Sequence, residues 1–280
     1  MAESCPGENS NDRLISGLDA GDLSSGNYEG GFKTWECAVD LAGFISQDVT
    51  LLLDGWNWHI IELGAGSAIP SLVLLEKALR KEESRTRRIQ FTFCDYNEEV
   101  LQLVTLPNIL LSWWEVCGRK QSGLTEAPHS TAAELDGIDE ALVLKFLGDC
   151  RAKGIDFQFV SGAWGASFLE LVLRKSIASQ PTGQSRTVIL ASETIYSPST
   201  LSPFARTLLS LLKVTGGLSE GFVAAKRVYF GVGGGVQEFV EEMTRLGGRV
   251  NEIQDSKDDG VGRAILRVSG PQTAPETCVS

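Results

Sequence analysis

The sequence predicts an α/β protein, a doubly wound and mostly parallel sheet of seven strands that closes in a C-terminal antiparallel hairpin. Three observations carry this reading. Five short apolar runs alternate with helical patterns between residues 58 and 230, and right-handed crossovers of that kind cover both faces of a parallel sheet. Two further runs, 249–254 and 263–268, are joined by Ser256-Lys257-Asp258-Asp259-Gly260, a hairpin signature that sets at least one strand antiparallel. The first apolar run ends in Glu62 and turns at once through Gly64-Ala65-Gly66 into a helical pattern. That order of strand, tight turn and helix N-terminus belongs to doubly wound sheets.

Residues 1–27 are rich in Ser, Gly, Asn and Asp and read as a disordered acidic lead-in to one domain over 28–269, with 270–280 as a flexible tail. A glycine turn, Tyr28 to Lys33, enters a helix in which Trp35, Ala38, Val39, Ala42 and Ile45 recur at helical spacing up to Ser46. The first strand is Trp58 to Leu63. Pro70 opens the next helix, where its missing N–H costs nothing, and Leu72, Leu75, Ala78 and Leu79 form its core face. Strand two, Ile89 to Cys94, closes on Asp95-Tyr96-Asn97. A helix from Glu98 then meets Pro107, which is expected to break or kink it. The stretches 81–88 and 118–134 are polar insertions, and Leu135, Ile138, Leu142 and Phe146 space out one short helix. Strand three is Phe157 to Ser161, followed by a helix holding Leu169, Val172 and Leu173. Strand four is Thr187 to Ala191, and a helix from Pro203 to Lys213 leads to strand five, Gly221 to Phe230. The glycine run 231–235 opens a helix that ends at Gly247-Gly248.

Composition narrows the function classes. A net charge of −11 argues against direct nucleic-acid binding, which rests on Lys and Arg meeting phosphate, and is compatible with a basic protein partner. No run of 18 apolar residues and no signal pattern is present, so no membrane association is expected. Six cysteines without a CxxC pair fit a reducing compartment. His59 and His129 stand far apart without a cysteine cluster, so no metal site is expected. A monomer of the cytoplasm and nucleus is the expectation.

The glycine turn carries the first chemical clue. Ile69 stands where a dinucleotide fingerprint needs its third glycine, and no lysine follows to make a phosphate-binding P-loop. An acidic strand end (Glu62) with Gly64, Ala65 and Gly66 suits a ligand with an amino-acid head and an adenosine but no pyrophosphate, which describes S-adenosylmethionine. The bland alternative is a glycine turn made for packing. Asp95 either accepts ribose hydroxyls or caps the helix before Glu98. Trp164, behind Gly162 and Ala163, either faces an adenine or packs in the core, and Trp35 has the same two readings.

Seven stretches together are more specific. They are Tyr28-Glu29-Gly30-Gly31-Phe32-Lys33-Thr34-Trp35-Glu36-Cys37, the Glu62 to Ser71 turn, Asp95-Tyr96-Asn97, Val104-Thr105-Leu106-Pro107-Asn108, Ser161-Gly162-Ala163-Trp164, Ser192-Glu193-Thr194-Ile195-Tyr196 and Tyr229-Phe230-Gly231-Val232-Gly233-Gly234-Gly235. Over roughly residues 28 to 268 the chain resembles the protein-histidine N-methyltransferase family, whose members modify a histidine of a large-subunit ribosomal protein. The resemblance implies the seven-stranded methyltransferase fold and S-adenosylmethionine as cofactor. It also implies cofactor contacts from Thr34, Trp35, Glu36, Cys37, Gly64, Asp95, Tyr96, Asn97, Gly162, Ala163, Trp164 and Ser192, and a basic ribosomal protein as substrate. Glu193 and Tyr196 match the acidic-x-x-aromatic motif of the wider group and are the candidate catalytic pair. The turn reads Gly-Ala-Gly-Ser-Ala where relatives often have Gly-Cys-Gly-Ser-Gly, and the two insertions have no counterpart.

A free imidazole titrates near about 6.5, so at pH 7 it is mostly neutral, whereas a lysine costs roughly 4.6 kcal/mol to deprotonate there. A histidine acceptor therefore needs a partner for its far N–H more than it needs a strong base. Glu193 is the residue expected to take that N–H, with the tele nitrogen receiving the methyl group; its bland role is to hold the loop after strand four. A protein-lysine methyltransferase of the same group, or a cofactor-binding assembly factor that modifies nothing, stays open at this point.

Overall fold

The computed structural model describes residues 31–51, 53, 56–81, 88–118, 138–174, 185–215, 218–256 and 261–270. The readings made for the lead-in, for the tail beyond Gly270, for nearly all of both insertions and for the hairpin loop lie outside these residues.

Seven strands pair among the described residues: β1 (Asn57–Leu63), β2 (Ile89–Asp95), β3 (Ile155–Ser161), β4 (Ser185–Ser192), β5 (Ser219–Lys226), β6 (Arg249–Ser256) and β7 (Arg263–Ser269). Their order across the sheet is β3-β2-β1-β4-β5-β7-β6. The first five run parallel, and β7 is antiparallel to both β5 and β6. The helices are α1 (Glu36–Gln47), α2 (Ile69–Leu79), α3 (Glu98–Gly118), α4 (Glu140–Ala152), α5 (Ala166–Leu173), α6 (Pro198–Val214) and α7 (Val236–Arg245).

Alternation along the strands feeds two cores. Ile60, Phe91, Phe93 and Leu190 pack with side chains of α1 to α4 on one face, while Ile61, Leu63, Cys94 and Ile189 pack with α5 to α7 on the other. Being covered on both faces is what makes the central strands read as continuous apolar runs. The exceptions in β1 are Glu62 and His59, the latter fully buried against Thr92 Oγ1 at 2.9 Å, with burial pushing its pKa down to about 4. His59 serves as a neutral structural group.

Four local readings need correcting. Trp35 is the N-cap of α1 and not part of it, so the buried face is Cys37, Ala38, Leu41, Ala42 and Ile45, and Val39 is left exposed. Pro107 does not end α3. The preceding turn, Leu101–Thr105, is wound wide, and Pro107 falls in the first turn of the α-helical stretch Leu106–Trp113, where a missing N–H is tolerated. By length and composition α3 is apolar enough to cross a membrane. Its buried side chains, among them Leu101, Ile109, Leu110 and Trp113, give that composition a core role. Helix α6 begins at Pro198, with Pro203 inside it. Finally, β5 stops at Lys226, because the chain turns through Arg227 into a glycine loop that folds back on itself.

β1 is flanked by β2 on one side and β4 on the other, so the chain reverses its winding direction there. The crevice outside the carboxyl ends of these strands is where such sheets bind ligands.

Candidate active site

A cavity of about 440 Å³ opens at that crevice, a size within the roughly 300–1,000 Å³ of small-molecule sites. One end is built by the glycine turn after β1. Gly64 and Gly66 have φ of +70° and +50°, and Ala68 follows at +59°. A Cβ on Gly64 would lie 2.7 Å from Thr194 Cγ2, so this position needs glycine on both conformational and steric grounds. Ala68 occupies a left-handed conformation that costs a side-chain-bearing residue roughly 1–2 kcal/mol.

The turn is held from behind. Ala65 N donates to Cys94 O at 2.8 Å and Gly66 N to Asp95 Oδ2 at 3.0 Å. Thr105 Oγ1 donates to Gly66 O at 2.7 Å and Asn108 Nδ2 to Ser67 O at 3.0 Å, so the Thr105 to Asn108 segment of α3 is the clamp on the turn. Glu62 lies fully buried beneath it, its Oε2 accepting from Ser71 N in the first turn of α2. Burial raises the Glu62 pKa to about 8, against the opposing bonds from Ser71. Asp95 is raised to about 6 by burial, opposed by the N–H groups of Gly66 and Asn97. Its two oxygens accept those N–H groups at 3.0 and 3.1 Å, which leaves lone pairs for hydroxyl donors.

The other end is assembled where β4 and β5 finish. Glu193 follows β4 with φ +56°, held by its N–H on Ala224 O at 3.0 Å. A left-handed non-glycine residue stores strain of about 1–3 kcal/mol, and such residues cluster at functional sites. Glu193 Oε2 accepts a hydrogen bond from the Tyr229 hydroxyl, while Oε1 is buried with no hydrogen-bond partner among the described residues. Lys226 Nζ sits 3.8 Å from Oε1 and 3.3 Å from Glu36 Oε2. It also lies 5.1 Å from the centre of the Trp35 ring, with Lys33 Nζ at 4.8 Å from that ring. The Cys37 thiol is pushed well above its ordinary range, by burial first and then by the charge of Glu193. Tyr196 meets Tyr229 edge-on at 6.3 Å.

Of the residues singled out in the sequence, Trp35, Gly64, Ala65, Gly66, Asp95, Tyr96, Ala163, Trp164, Ser192, Glu193 and Tyr196 line this cavity. Trp164 does so while packing edge-on against Phe168 and Phe204, so its two readings are compatible. Six others stand off the wall. Thr34 and Glu36 are exposed beside it, and Cys37 is buried behind Glu193. Glu62 is spent on α2, Asn97 is buried with its N–H on Asp95, and Gly162 N binds Asp95 O. Lys33, Thr194, Lys226, Tyr229 and Val232 line the cavity without having been singled out individually. An aromatic residue opening a glycine run just past a strand was the available signal for Tyr229.

The strand order with one reversed strand, and a cavity at the carboxyl ends of the parallel strands, define the seven-stranded methyltransferase fold. The chain belongs to the histidine protein methyltransferase family. It is 32% identical over 233 residues to "Histidine protein methyltransferase 1" of Saccharomyces cerevisiae, covering 81% of this chain and 59% of that protein. It is 34% identical over 247 residues to the protein of the same name from Schizosaccharomyces pombe, covering 88% and 66%. With the Bos taurus "Histidine protein methyltransferase 1 homolog" the figures are 30% over 272 residues, 96% and 62%. The chain thus spans between about three fifths and two thirds of the length of these relatives. No protein-family model matches it. Among solved structures it is loosely similar to the rRNA methyltransferase aviRa of Streptomyces viridochromogenes, with a TM-score of 0.43 and 18% identity over 88% of each chain.

Proposed function

We propose that the chain is an S-adenosylmethionine-dependent protein-histidine N-methyltransferase that acts on a histidine of a large-subunit ribosomal protein, with the tele nitrogen as acceptor. The observation that carries this is Glu193. Its carboxylate lines a cavity with one oxygen fixed by Tyr229 and the other without a hydrogen bond among the described residues, while the far end of the same cavity is a clamped glycine turn beside Asp95.

The residues fit the cofactor. Asp95 has lone pairs for ribose hydroxyls, the left-handed glycines keep side chains out of the turn, and Tyr96 and Trp164 supply flat apolar walls. S-adenosylmethionine, when bound, supplies a methyl group on a sulfonium. The protein's work is then to hold a neutral imidazole in line and keep water out. Glu193 accepts the N–H of the far ring nitrogen, which fixes the tautomer and answers the positive charge that grows on the ring. Lys226, shared between Glu36 and Glu193, places a positive charge beside the carboxylate, which a neutral imidazole tolerates better than an ammonium, and this favours histidine over lysine as acceptor. The net charge of −11 suits a basic protein substrate, and we place the activity, as a monomer, in the cytoplasm and nucleus.

The test is mass spectrometry of ribosomal proteins from cells with and without the chain. One histidine peptide 14 Da lighter in the deficient cells, about one methyl group, is the expected result; an unchanged set of histidines with a changed lysine contradicts it.

A further inference from the structure

Tyr229 sits at the root of the glycine loop and is fixed from several directions. Its N–H binds Gly234 O at 3.1 Å, and its carbonyl accepts from Val232 N and Gly233 N at 3.2 and 3.0 Å. Gly234 N in turn binds Tyr196 O at 3.0 Å, tying the loop to the segment that follows Glu193. A Cβ on Gly234 would lie 2.3 Å from Ile195 O, so the two segments meet at a contact only glycine allows. The loop is therefore a rigid mount for the tyrosine ring.

The hydroxyl has both of its roles assigned. It accepts from Lys226 N at 3.2 Å and gives its one proton to Glu193 Oε2. Burial and the neighbouring Glu193 charge raise the Tyr229 pKa, so the proton stays in place. The Glu193 side chain is only 10% exposed. Its Oε1 is left as a buried acceptor without a hydrogen bond, on a carboxylate that lines the cavity. Lys226 Nζ stands 3.8 Å from this oxygen, an ion pair beyond hydrogen-bond distance, so a ligand donor can still complete it.

We propose that Tyr229 is a positioning residue that commits one oxygen of Glu193 and so decides which ring nitrogen of the acceptor histidine is methylated. The proposal rests on the histidine-methyltransferase reading above. A neutral imidazole has one N–H and one nitrogen lone pair. With a single acceptor oxygen in a fixed place, the ring is held through one N–H in one orientation, and the opposite nitrogen is presented for attack. That lone pair forms the new N–C bond as the C–S electron pair leaves with the sulfur of the methyl donor. The ring becomes an imidazolium whose remaining N–H stays on Oε1 until release, when it passes to solvent. Without the tyrosine hydroxyl the carboxylate offers two acceptor oxygens, so both ring orientations bind.

The test uses the intact chain, S-adenosylmethionine and large-subunit ribosomal protein from cells that lack the chain. The product is hydrolysed and chromatographed against the two methylhistidine isomers, alongside kcat, KM and cofactor affinity. Wild type should give one isomer. Tyr229→Phe should give both, with kcat lower on the order of tenfold and with KM and cofactor affinity little changed. A single isomer from Tyr229→Phe, whether at the wild-type rate or slower, overturns the proposal, since a merely structural role lowers the rate without mixing the products. If the melting curve shows that Tyr229→Phe does not fold, Glu193→Asp draws the carboxylate away from the intact Tyr229, and a single isomer from that variant is equally contrary. Failure of the wild type to methylate any histidine is a different result, and it removes the underlying reading as well.

Discussion

At the glycine-turn end of the cavity, the backbone is answered from behind by groups that ligand binding need not disturb. Gly66 and Ser67 have their carbonyls capped by Thr105 and Asn108, and Asp95 and Glu62 take up N–H groups of the turn and of α2. Among the described residues, buried polar atoms without a hydrogen bond occur at both ends. Those of the glycine-turn end, Glu62 Oε1, Ser71 Oγ and Asn97 Nδ2, belong to residues behind the cavity wall, whereas Glu193 Oε1 and Thr194 Oγ1 belong to residues that line it. The first arrangement is a preformed cradle that any substrate of the fold can share. The second is an unfinished hydrogen-bond set that only the right acceptor completes. On the function proposed above, the glycine-turn end governs affinity for the cofactor, and the Glu193 end governs turnover and the identity of the acceptor.

Substitutions that uncouple the two ends test this division. The largest effect is expected from Glu193→Gln. It removes the charge that meets the imidazolium, so single-turnover rates should fall about a hundredfold or more, while calorimetry shows cofactor affinity within a factor of two or so. A comparable loss in both quantities would mean that the ends are one unit.

Next is Glu62→Gln, read by thermal melts across pH. Glu62 titrates at about 8 in the folded chain against an ordinary 4.5. Between those values the folded state keeps a proton that the unfolded state has released, so wild-type stability should fall as pH rises through this window and level off above it. Asp95 adds the same sign between its ordinary 3.8 and about 6. Glu62→Gln carries no such proton. Its melts should flatten above pH 6, and at pH 8 to 9 it should exceed wild type by a few kcal/mol. A wild type that gains stability from pH 5 to 8 would contradict the burial of Glu62 as a neutral acid.

Asp95→Asn should weaken cofactor binding about tenfold, the size of one hydrogen bond to a charged acceptor. It should also lower the melting temperature, because the Gly66 and Asn97 N–H groups share that carboxylate. Unchanged affinity with a lowered melting temperature would leave Asp95 as a structural anchor alone. Smallest is Arg267→Gln, away from both ends, which opens an exposed pair with Glu220 and should cost under about 1 kcal/mol, with no kinetic effect.

The same contrast explains what the sequence showed and what it hid. The alternation of apolar runs and helical patterns marked the strands from β1 to β5, and β7, since burial on both faces or one leaves a periodic trace, while the almost wholly exposed β6 was marked by the hairpin signature. Pro107 and Pro203 misled because a wide turn before the one, and a longer helix around the other, absorb the missing bonds. The glycine-turn end was legible because Glu62 to Ser71 is one continuous segment. The Glu193 end joins Trp35 and Cys37, Glu193, Lys226 and Tyr229 from separate parts of the chain. The Tyr229–Glu193 bond spans 36 residues and depends on β5 stopping at Lys226 and a loop turning back. Neither periodicity nor spacing encodes that return, so Tyr229 and Lys226 had no individual reading until the fold placed them.

The central claim, transfer to histidine under the control of Glu193, is tested most directly by a single-turnover pH–rate profile. The reaction contains the purified chain, labelled S-adenosylmethionine and large-subunit ribosomal protein from cells lacking the chain, and the labelled residue is identified afterwards. The rate should rise as the imidazole loses its proton and level off above about pH 7, with the label on one histidine. A rate still climbing toward pH 9 or 10, as expected for an amine with a pKa of about 10.4, and label on lysine would contradict the account.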